Sequence, residues 1–205
     1  MKATAAILAG GRARRLGGRV KALLPLGPAR IIDYQLAALR DVVDEVFIVA
    51  NDPAPYTGLG LRVFQDRVPG NGAMGGLVTA LEESGALATI VLASDLPFVS
   101  GEFAHYLAEA CRGFDAAVPH TADGYHPLCA CWSPDALDVL ERRMTAGHRR
   151  IQDALSALRV REIAPGEVAR FDRPEGTLLF NVNTPHDYER ALQLSKSYHD
   201  RFHAS

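Results

Sequence analysis

Cysteine, tryptophan and long hydrophobic runs are scarce in this sequence. The 205 residues include three cysteines and one tryptophan, and no apolar run approaches the roughly 20 residues that cross a membrane. An odd, sparse set of cysteines is a poor disulfide framework. Cys129 and Cys131 flank Ala130 in an apolar stretch, which favours buried thiols over a zinc site because no second ligand pair follows. These absences predict a cytoplasmic protein that stays out of the membrane.

An excess of charge of one sign is also missing. The chain has 22 basic and 24 acidic residues, which gives a formal net charge of -2. This balance argues against bulk binding to nucleic acid or anionic lipid, so any anion site must be local. Apolar types make up 48% of the chain, which excludes intrinsic disorder and is enough for a core. We expect one domain over residues 1–194 and a polar, frayed tail over 195–205.

Short apolar runs alternate with stretches of helical periodicity. The alternation predicts an α/β fold, a three-layer sandwich whose central sheet is mainly parallel and carries helices on both faces. The predicted strands are 4–9, 45–50, 61–64, 89–93, 116–118, 128–132 and 178–180, and the predicted helices are 31–42, 75–83, 102–112, 134–144, 150–158 and 185–194.

Polar residues or glycines follow the predicted strands. In open parallel sheets, ligands bind outside the carboxyl ends of the strands, so these positions are the candidate site. Asn51 follows a predicted strand directly, and Asp66 and Asp95 each follow one after a single intervening residue. A lone carboxylate there, such as Asp95, can hold Mg²⁺ while water and substrate phosphates complete the octahedron. The alternatives are an Asp95 cap on the next helix, an Asx turn at Asp66 and a simple turn at Asn51.

The loop after the first strand has the composition of a phosphate cradle. Gly10 and Gly11 allow backbone N–H groups to approach an anion, and Arg15 and Lys21 supply positive charge. The loop is neither a Walker A sequence nor the G-x-G-x-x-G fingerprint of dinucleotide-binding proteins, which disfavours a dehydrogenase. On composition alone, a basic surface loop is an equal alternative.

The same loop resembles the L-A-G-G-x-x-x-R-[L/M]-G signature of sugar-nucleotide-type nucleotidyltransferases, with a lysine shortly after it. Together with four later motifs, the chain resembles more narrowly the molybdenum cofactor guanylyltransferases, and this resemblance covers nearly the whole chain. Those motifs lie at residues 72–76, 94–98, 126–130 and 181–185.

The resemblance implies a Rossmann-like nucleotidyltransferase fold and a role for each matching residue. It implies that Asp95 binds Mg²⁺, that Arg15, Lys21 and Asp95 are catalytic, and that the acceptor lies near Asn181 and Asn183. The nucleotide site that it implies consists of Leu8, Ala9, Gly10, Gly11, Lys21, Asn51, Asp66, Gly75 and Asp95.

Other positions remain open. His126 and Arg149 are candidates for the acceptor phosphate or pterin, although a packing histidine and a solvated basic turn are the commoner explanations. Many members of the resembling family carry an acidic residue just before the loop lysine, where this chain has Val20. The phosphate role of Lys21 is unaffected by that difference.

The reaction that the resemblance implies is transfer of GMP from GTP to molybdopterin, or to its molybdenum-loaded form, with release of pyrophosphate. A cytidylyltransferase on the same cofactor and a sugar-phosphate nucleotidyltransferase remain alternatives, because they share the loop and the aspartate motif. A non-catalytic nucleotide-binding module is the alternative that is not an enzyme. A molybdenum insertase or a molybdoenzyme is a plausible protein partner, since the cofactor is labile.

Overall fold

The computed structural model describes residues 3–10, 12–13, 19–68, 70–174 and 176–202. Across these residues the strands alternate with helices along most of the chain. The strands are β1 Ala3–Leu8, β2 Arg12–Ala13, β3 Arg19–Val20, β4 Pro25–Leu26, β5 Ala29–Arg30, β6 Glu45–Ala50, β7 Arg62–Gln65, β8 Ala88–Ala93, β9 Ala116–Thr121, β10 Gly124–Tyr125, β11 Cys129–Trp132 and β12 Val160–Ile163. The α-helices are α1 Ile31–Leu39, α2 Gly72–Ser84, α3 Gly101–Ala110, α4 Leu137–Thr145, α5 Gln152–Leu155, α6 Pro165–Val168 and α7 Pro185–Phe202.

One large sheet forms the centre of the molecule. Its strand order is β10-β9-β11-β8-β1-β6-β7, with β12 beside β9, and two small hairpins, β2–β3 and β4–β5, lie outside it. β1 pairs in parallel with both β6 and β8, and β7 pairs in parallel with β6. β11 runs antiparallel to β8 and β9. The prediction of a mainly parallel central sheet is therefore confirmed.

Helices cover both faces of this sheet, as predicted. α3 packs on one face, where Phe103 and Leu107 join Ile90, Leu92 and other buried residues in an apolar cluster. α2, α4 and α5 pack on the other face around Trp132. Successive side chains of a strand point to opposite faces, which explains why β8 is almost entirely apolar and β11 is apolar throughout. No helix among the described residues is long and apolar enough to cross a bilayer.

The three cysteines are free and buried in this core. Cys129 and Cys131 join the cluster around α3, whereas Ala130 between them joins the opposite cluster. Both thiols therefore lie on the same face of β11, as the alternation predicts. Burial raises the pKa of Cys129 to about 12, so this thiol stays protonated at neutral pH. The prediction of buried structural thiols is confirmed.

The predicted strand at 178–180 is wrong. These residues form a turn, in which Phe180 donates its backbone N–H to the carbonyl of Thr177 at 3.1 Å. The reason is the carboxylate of Asp172, which accepts the N–H groups of Gly176, Thr177 and Leu178 at 2.7–2.9 Å. Backbone donors that are satisfied by a side chain are not available to a sheet neighbour.

The end of the chain also differs from the expectation. The closing helix begins where predicted, with Thr184 accepting the N–H of Asp187 and Asp187 accepting that of Thr184. It does not end at residue 194, however, but continues to Phe202. Residues 195–202 contain neither glycine nor proline. Ser195 is buried beside Gly27, and its hydroxyl donates to the carbonyl of Leu192. Part of the predicted tail over 195–205 therefore belongs to the helix, which continues through residue 202.

Strand β12 was not predicted from the sequence. Arg161 and Glu162 interrupt its apolar residues, so the stretch lacks a clear apolar run. Its partner β9 supplies the parallel register, from Val160 opposite Ala116 to Ile163 opposite Pro119.

Candidate active site

The carboxyl ends of β1, β6, β7 and β8 open into one cleft. Because β1, β6 and β8 are in parallel register, Leu8 lies opposite Val49 and Ala93, and the residues that follow these strands share one edge of the sheet. The cleft has a volume of about 480 Å³. We call it the first cleft, and its lining is Leu8, Gly10, Lys21, Val49, Ala50, Asn51, Asp66, Gly70, Gly72, Ala73, Gly76, Ala93, Ser94, Asp95 and Leu128.

Lys21 and Asp95 meet in this cleft, although they are 74 residues apart in the chain. The ammonium of Lys21 is 3.2 Å from Oδ2 of Asp95 and 2.5 Å from Oδ1 of Asn183. The side chains of Lys21 and Asp95 are only 15% and 16% exposed. Three motifs that lie far apart in the sequence therefore converge on one ammonium group. An ammonium held in this way is a strong donor for the oxygens of a phosphate chain.

The other oxygen of Asp95 suits a divalent cation. Oδ1 is buried and has no hydrogen-bond partner among the described residues, which is unusual because buried carboxylate oxygens are normally satisfied. Ser100, and not Asp95, caps α3, because its hydroxyl accepts the N–H of Phe103 at 3.2 Å. The alternative of Asp95 as a helix cap is therefore wrong. No cluster of three or more metal-ligating side chains occurs among the described residues, so a cation here needs water or substrate oxygens as well.

Asn51 and Gly10 are in contact with each other in the lining of the cleft. The side-chain amide of Asn51 donates to the carbonyl of Gly10 at 3.4 Å, and a Cβ on Gly10 would lie 3.2 Å from that nitrogen. The preceding residue, Ala9, is tied at both backbone groups, by the carbonyl of Val49 and the hydroxyl of Tyr56. The start of the loop is thus held firmly, and Asn51 keeps its amide exposed toward the cleft.

The first turn of α2 also lines the first cleft. Gly70 and Gly72 have φ values of +94° and +59°, a region that strongly favours glycine, and both line the cleft. Asn71, just before α2, makes no side-chain cap to this helix. Gly72 and Ala73 of the first turn line the cleft, so the N-terminus of this 13-residue helix lies at the cleft, where it favours an anion.

Asp66 does two things at once. Its Oδ1 accepts the N–H of Val68 at 2.9 Å, which is the Asx turn expected from the sequence, and its buried side chain also lines the cleft. Gly75 lies behind it. A Cβ at Gly75 would be 2.7 Å from the carbonyl of Val68 and 3.0 Å from Oδ1 of Asp66. The structure thus places Gly75 in packing support of the Asp66 loop and not in the lining of the cleft.

A second cleft of about 400 Å³ adjoins the first. The two share four residues, namely Ala73, Ala93, Asp95 and Leu128. Asn181 lines the second cleft, and Asn183 contacts Lys21 in the first. Between them Val182 is fully buried and donates its N–H to the carbonyl of Asp95 at 2.9 Å. The segment 181–183 therefore runs along the boundary between the two clefts.

The two positions that the sequence left open, His126 and Arg149, line the second cleft, as does Arg150. Both arginines are exposed. Nε2 of His126 lies 2.7 Å from the hydroxyl of Thr121. Burial holds the pKa of His126 below its ordinary value, against a weaker opposing effect of Asp123. The imidazole is therefore neutral at pH 7.

Not every predicted residue can be placed. Gly11 and Arg15 lie outside the described residues, so their predicted roles remain predictions. Conversely, sequence reasoning missed Gln35, whose buried amide contacts the backbone on both sides of Asp95, and Tyr56, which anchors Ala9. A single polar residue on an otherwise apolar helix face was the available signal for Gln35.

Comparison with known proteins identifies the family. Residues 5–162 match the family described as the MobA-like NTP transferase domain. The chain is 35% identical to a probable molybdenum cofactor guanylyltransferase of Carboxydothermus hydrogenoformans, over 93% of this chain and 95% of that protein. It is 34% identical to the molybdenum cofactor guanylyltransferase of Cereibacter sphaeroides, over 92% and 94% of the two chains. The chain belongs to the MobA-like NTP transferase family.

The structure of another protein agrees with this assignment. The crystal structure of molybdopterin-guanine dinucleotide biosynthesis protein A from Archaeoglobus fulgidus is 29% identical and has a TM-score of 0.82, with 95% of this chain and 99% of that chain covered. In this MobA-like transferase, the family match runs from β1 to β12 and includes Lys21 and Asp95. The segment 181–183 lies beyond the family match but within the longer similarity to these relatives.

Proposed function

We propose that this protein transfers GMP from GTP to the terminal phosphate of molybdopterin, or of its molybdenum-loaded form, and releases pyrophosphate. The observation that carries the proposal is the junction of two clefts at Asp95. A transferase needs two substrates side by side, with the charged group that stabilises the transition state between them. The names of full-length relatives at 34–35% identity supply the choice of nucleotide and acceptor.

In the proposed reaction, an oxygen of the acceptor phosphate attacks the α-phosphorus of GTP. The bond from that phosphorus to the bridging oxygen of the β-phosphate breaks, and its electron pair leaves with pyrophosphate. The acceptor phosphate is already ionised at neutral pH, so no general base is required. Catalysis then consists of positioning and charge stabilisation, as is usual for transfer at phosphorus.

The described residues divide these tasks between them. Lys21 donates to the phosphates, and the backbone at Gly10 and the first turn of α2 lie along the triphosphate. Asn51 and Asp66 bind the nucleoside, with Leu8 and Ala9 at the start of the loop. Asn181 orients the acceptor in the second cleft. Asn183 holds the ammonium of Lys21 at the boundary, a contact that we add to its predicted acceptor role. Gly11 and Arg15 complete the loop in this proposal.

Mg²⁺ is the proposed metal, and Asp95 is the residue that would hold it. An unpartnered, buried carboxylate oxygen beside a phosphate-sized cleft fits a hard cation that keeps several water ligands. When bound, the ion neutralises negative charge on the phosphates as the bond to the leaving group breaks.

Asp95→Asn tests the metal site. We expect the variant to fold with a near wild-type melting temperature, since the amide has the same shape, and to lose the saturable dependence of turnover on magnesium. Asp41→Asn, an exposed change after α1, is the matched control. An unchanged magnesium titration in Asp95→Asn would remove this residue from the metal site.

A second experiment tests the nucleotide and the acceptor. Thermal shift with GTP, CTP, ATP and UTP, each with Mg²⁺, should give stabilisation that is selective for GTP, because a ligand of the native state raises its stability. Incubation of each labelled nucleotide with molybdopterin should then yield a guanine dinucleotide and pyrophosphate. Selective use of CTP, or transfer to a sugar phosphate, would favour the other enzymes of this fold. Nucleotide binding without transfer would favour a regulatory module.

The partner and the compartment remain part of the proposal. A molybdenum insertase or a molybdoenzyme would receive the labile product directly, and the free, buried thiols accord with the predicted cytoplasmic location. Co-purification with and without bound product tests the first expectation.

A further inference from the structure

A buried glutamine on α1 holds the turn that carries Asp95. Gln35 is fully buried, and its neighbours on the inner face of the helix are apolar. Its side-chain amide donates to the carbonyl of Ala93 at 2.8 Å and to the carbonyl of Leu96 at 3.1 Å. These carbonyls stand on either side of Ser94 and Asp95. One side chain therefore bridges the two ends of the turn.

The turn is also held by its other neighbours. Ser94 donates its N–H to the carbonyl of Leu8 at 3.1 Å, and the carbonyl of Asp95 accepts the N–H of Val182 at 2.9 Å. β1 and the segment at Val182 thus fix the turn from two sides, and Gln35 fixes it from α1. A backbone that is restrained in three directions fixes the position of the Asp95 Cβ and so limits where its carboxylate can reach.

The same helix is tied to the segment that carries Lys21. Ile31, the first residue of α1, donates its N–H to the carbonyl of Leu24. The N–H of Leu24 in turn donates to the carbonyl of Lys21 and closes the short 3-10 turn Lys21–Leu23. Gln35 lies one helical turn further along α1. Helix α1 therefore contacts both the segment that carries Lys21 and the turn that carries Asp95.

Stability alone does not account for a glutamine here. Its Oε1 is buried and has no hydrogen-bond partner among the described residues, which is an energetic penalty that an apolar side chain would avoid. Its side-chain N–H donors, by contrast, are both bonded, to the carbonyls of Ala93 and Leu96. A polar group kept at such a cost is typical of residues that orient a ligand of a site.

We propose that Gln35 is a positioning residue, which fixes the carboxylate of Asp95 toward the boundary of the two clefts. The inference rests on the proposed function, in which Asp95 holds the metal beside the phosphates. Gln35 touches neither the substrate nor the metal and acts through the backbone at Ala93 and Leu96.

Gln35→Met tests this role, because methionine has a similar length and shape but no N–H donor. We expect binding of Mn²⁺–GTP, measured by electron paramagnetic resonance without any acceptor, to weaken about tenfold, the lower end of the effect of losing a residue that orients a metal ligand. The magnesium concentration for half-maximal turnover should rise, and kcat should fall, by a similar factor.

Tyr34→Phe is the matched control. It lies on the same helix and removes a buried hydrogen bond to the backbone carbonyl of Leu26, which is not one of the carbonyls that flank Ser94 and Asp95. It should lower the melting temperature without weakening Mn²⁺–GTP binding. Gln35→Leu serves as a second variant if Gln35→Met does not fold.

The outcomes separate the two proposals. Wild-type Mn²⁺–GTP affinity in Gln35→Met would overturn the positioning role and leave the proposed function intact. A failure of both Gln35 variants to fold, while Tyr34→Phe folds, would also overturn it in favour of a structural role. If the wild-type protein binds no Mn²⁺–GTP, the proposed function fails and this inference fails with it.

Discussion

The two clefts of this protein are built in different ways. The first is lined mostly by residues at or directly after the ends of four strands, so the register of β1, β6, β7 and β8 sets their positions. The second is lined by residues of loops and short elements around Tyr125–Cys129, Arg149–Gln152 and Asn181. A regular sheet places residues at predictable positions, whereas loops take theirs from packing. The residues of the first cleft can therefore be derived from the predicted strands, whereas those of the second cleft cannot.

Burial differs between the clefts as well. The charged pair in the first, Lys21 and Asp95, is about 15% exposed, so solvent screens it weakly. Arg149 and Arg150 in the second are exposed, and exposed charges contribute little individually. Changes in the first cleft should therefore have the larger effect on the reaction.

The largest effect should come from Lys21→Ala. We expect the rate of GMP transfer to fall roughly 10²–10³-fold, as for the loss of one strong donor to developing charge. Steady-state turnover measures it, and Lys196→Ala, an exposed change on α7, is the control. Near wild-type turnover would show that the first cleft does not stabilise the transition state through this group.

An intermediate effect is expected in the second cleft. Asn181→Ala should raise the KM for molybdopterin by up to about tenfold, the value of one hydrogen bond, and leave the KM for GTP unchanged. Initial rates with each substrate varied in turn measure the split. A rise in the KM for GTP alone would mean that the two clefts are not assigned to separate substrates.

A smaller effect is expected from packing behind the first cleft. Gly75→Ala puts a Cβ 2.7 Å from the carbonyl of Val68, and such overpacking costs about 1–3 kcal/mol. Chemical denaturation should show this loss, together with weaker GTP binding because the Asp66 loop must shift. Gly166→Ala, where no atom lies within 4 Å of the new Cβ, should be neutral or slightly stabilising. Equal stability of the two variants would contradict the close approach.

The smallest effect concerns pH in the second cleft. Because burial lowers the pKa of His126 in the folded protein, the unfolded chain binds more protons once the pH falls below about 6.5, the ordinary value. The free energy of unfolding should therefore decrease as the pH falls through this window. His126→Gln should remove that part of the pH dependence, and NMR titration of the wild-type imidazole should give a pKa below its ordinary value. A pKa at or above the ordinary value would contradict the burial of this ring.

The sequence predicted more of the residues that line the site than of the residues that hold them in place. Asp95 and Asn51 follow the clearest apolar runs, so their place at the sheet edge could be derived from the periodicity. The support by Gln35 and the placement of Gly75 behind Asp66 could not, because both depend on contacts between residues that the sequence does not bring together. The predicted strand at 178–180 is a turn for the same reason, since the carboxylate of Asp172 accepts the backbone N–H groups of Thr177 and Leu178.

The sequence by itself determined the alternation of strands and helices, the edge of the sheet where the polar residues collect, and the family to which the chain is similar. These follow from local periodicity and from motifs a few residues long. Only the tertiary structure decided that Lys21, Asp95 and Asn183 meet at one ammonium, that two clefts join at that point, and that α7 continues to Phe202. Those features arise from parallel register and from packing over more than 70 residues of separation, which no local pattern encodes.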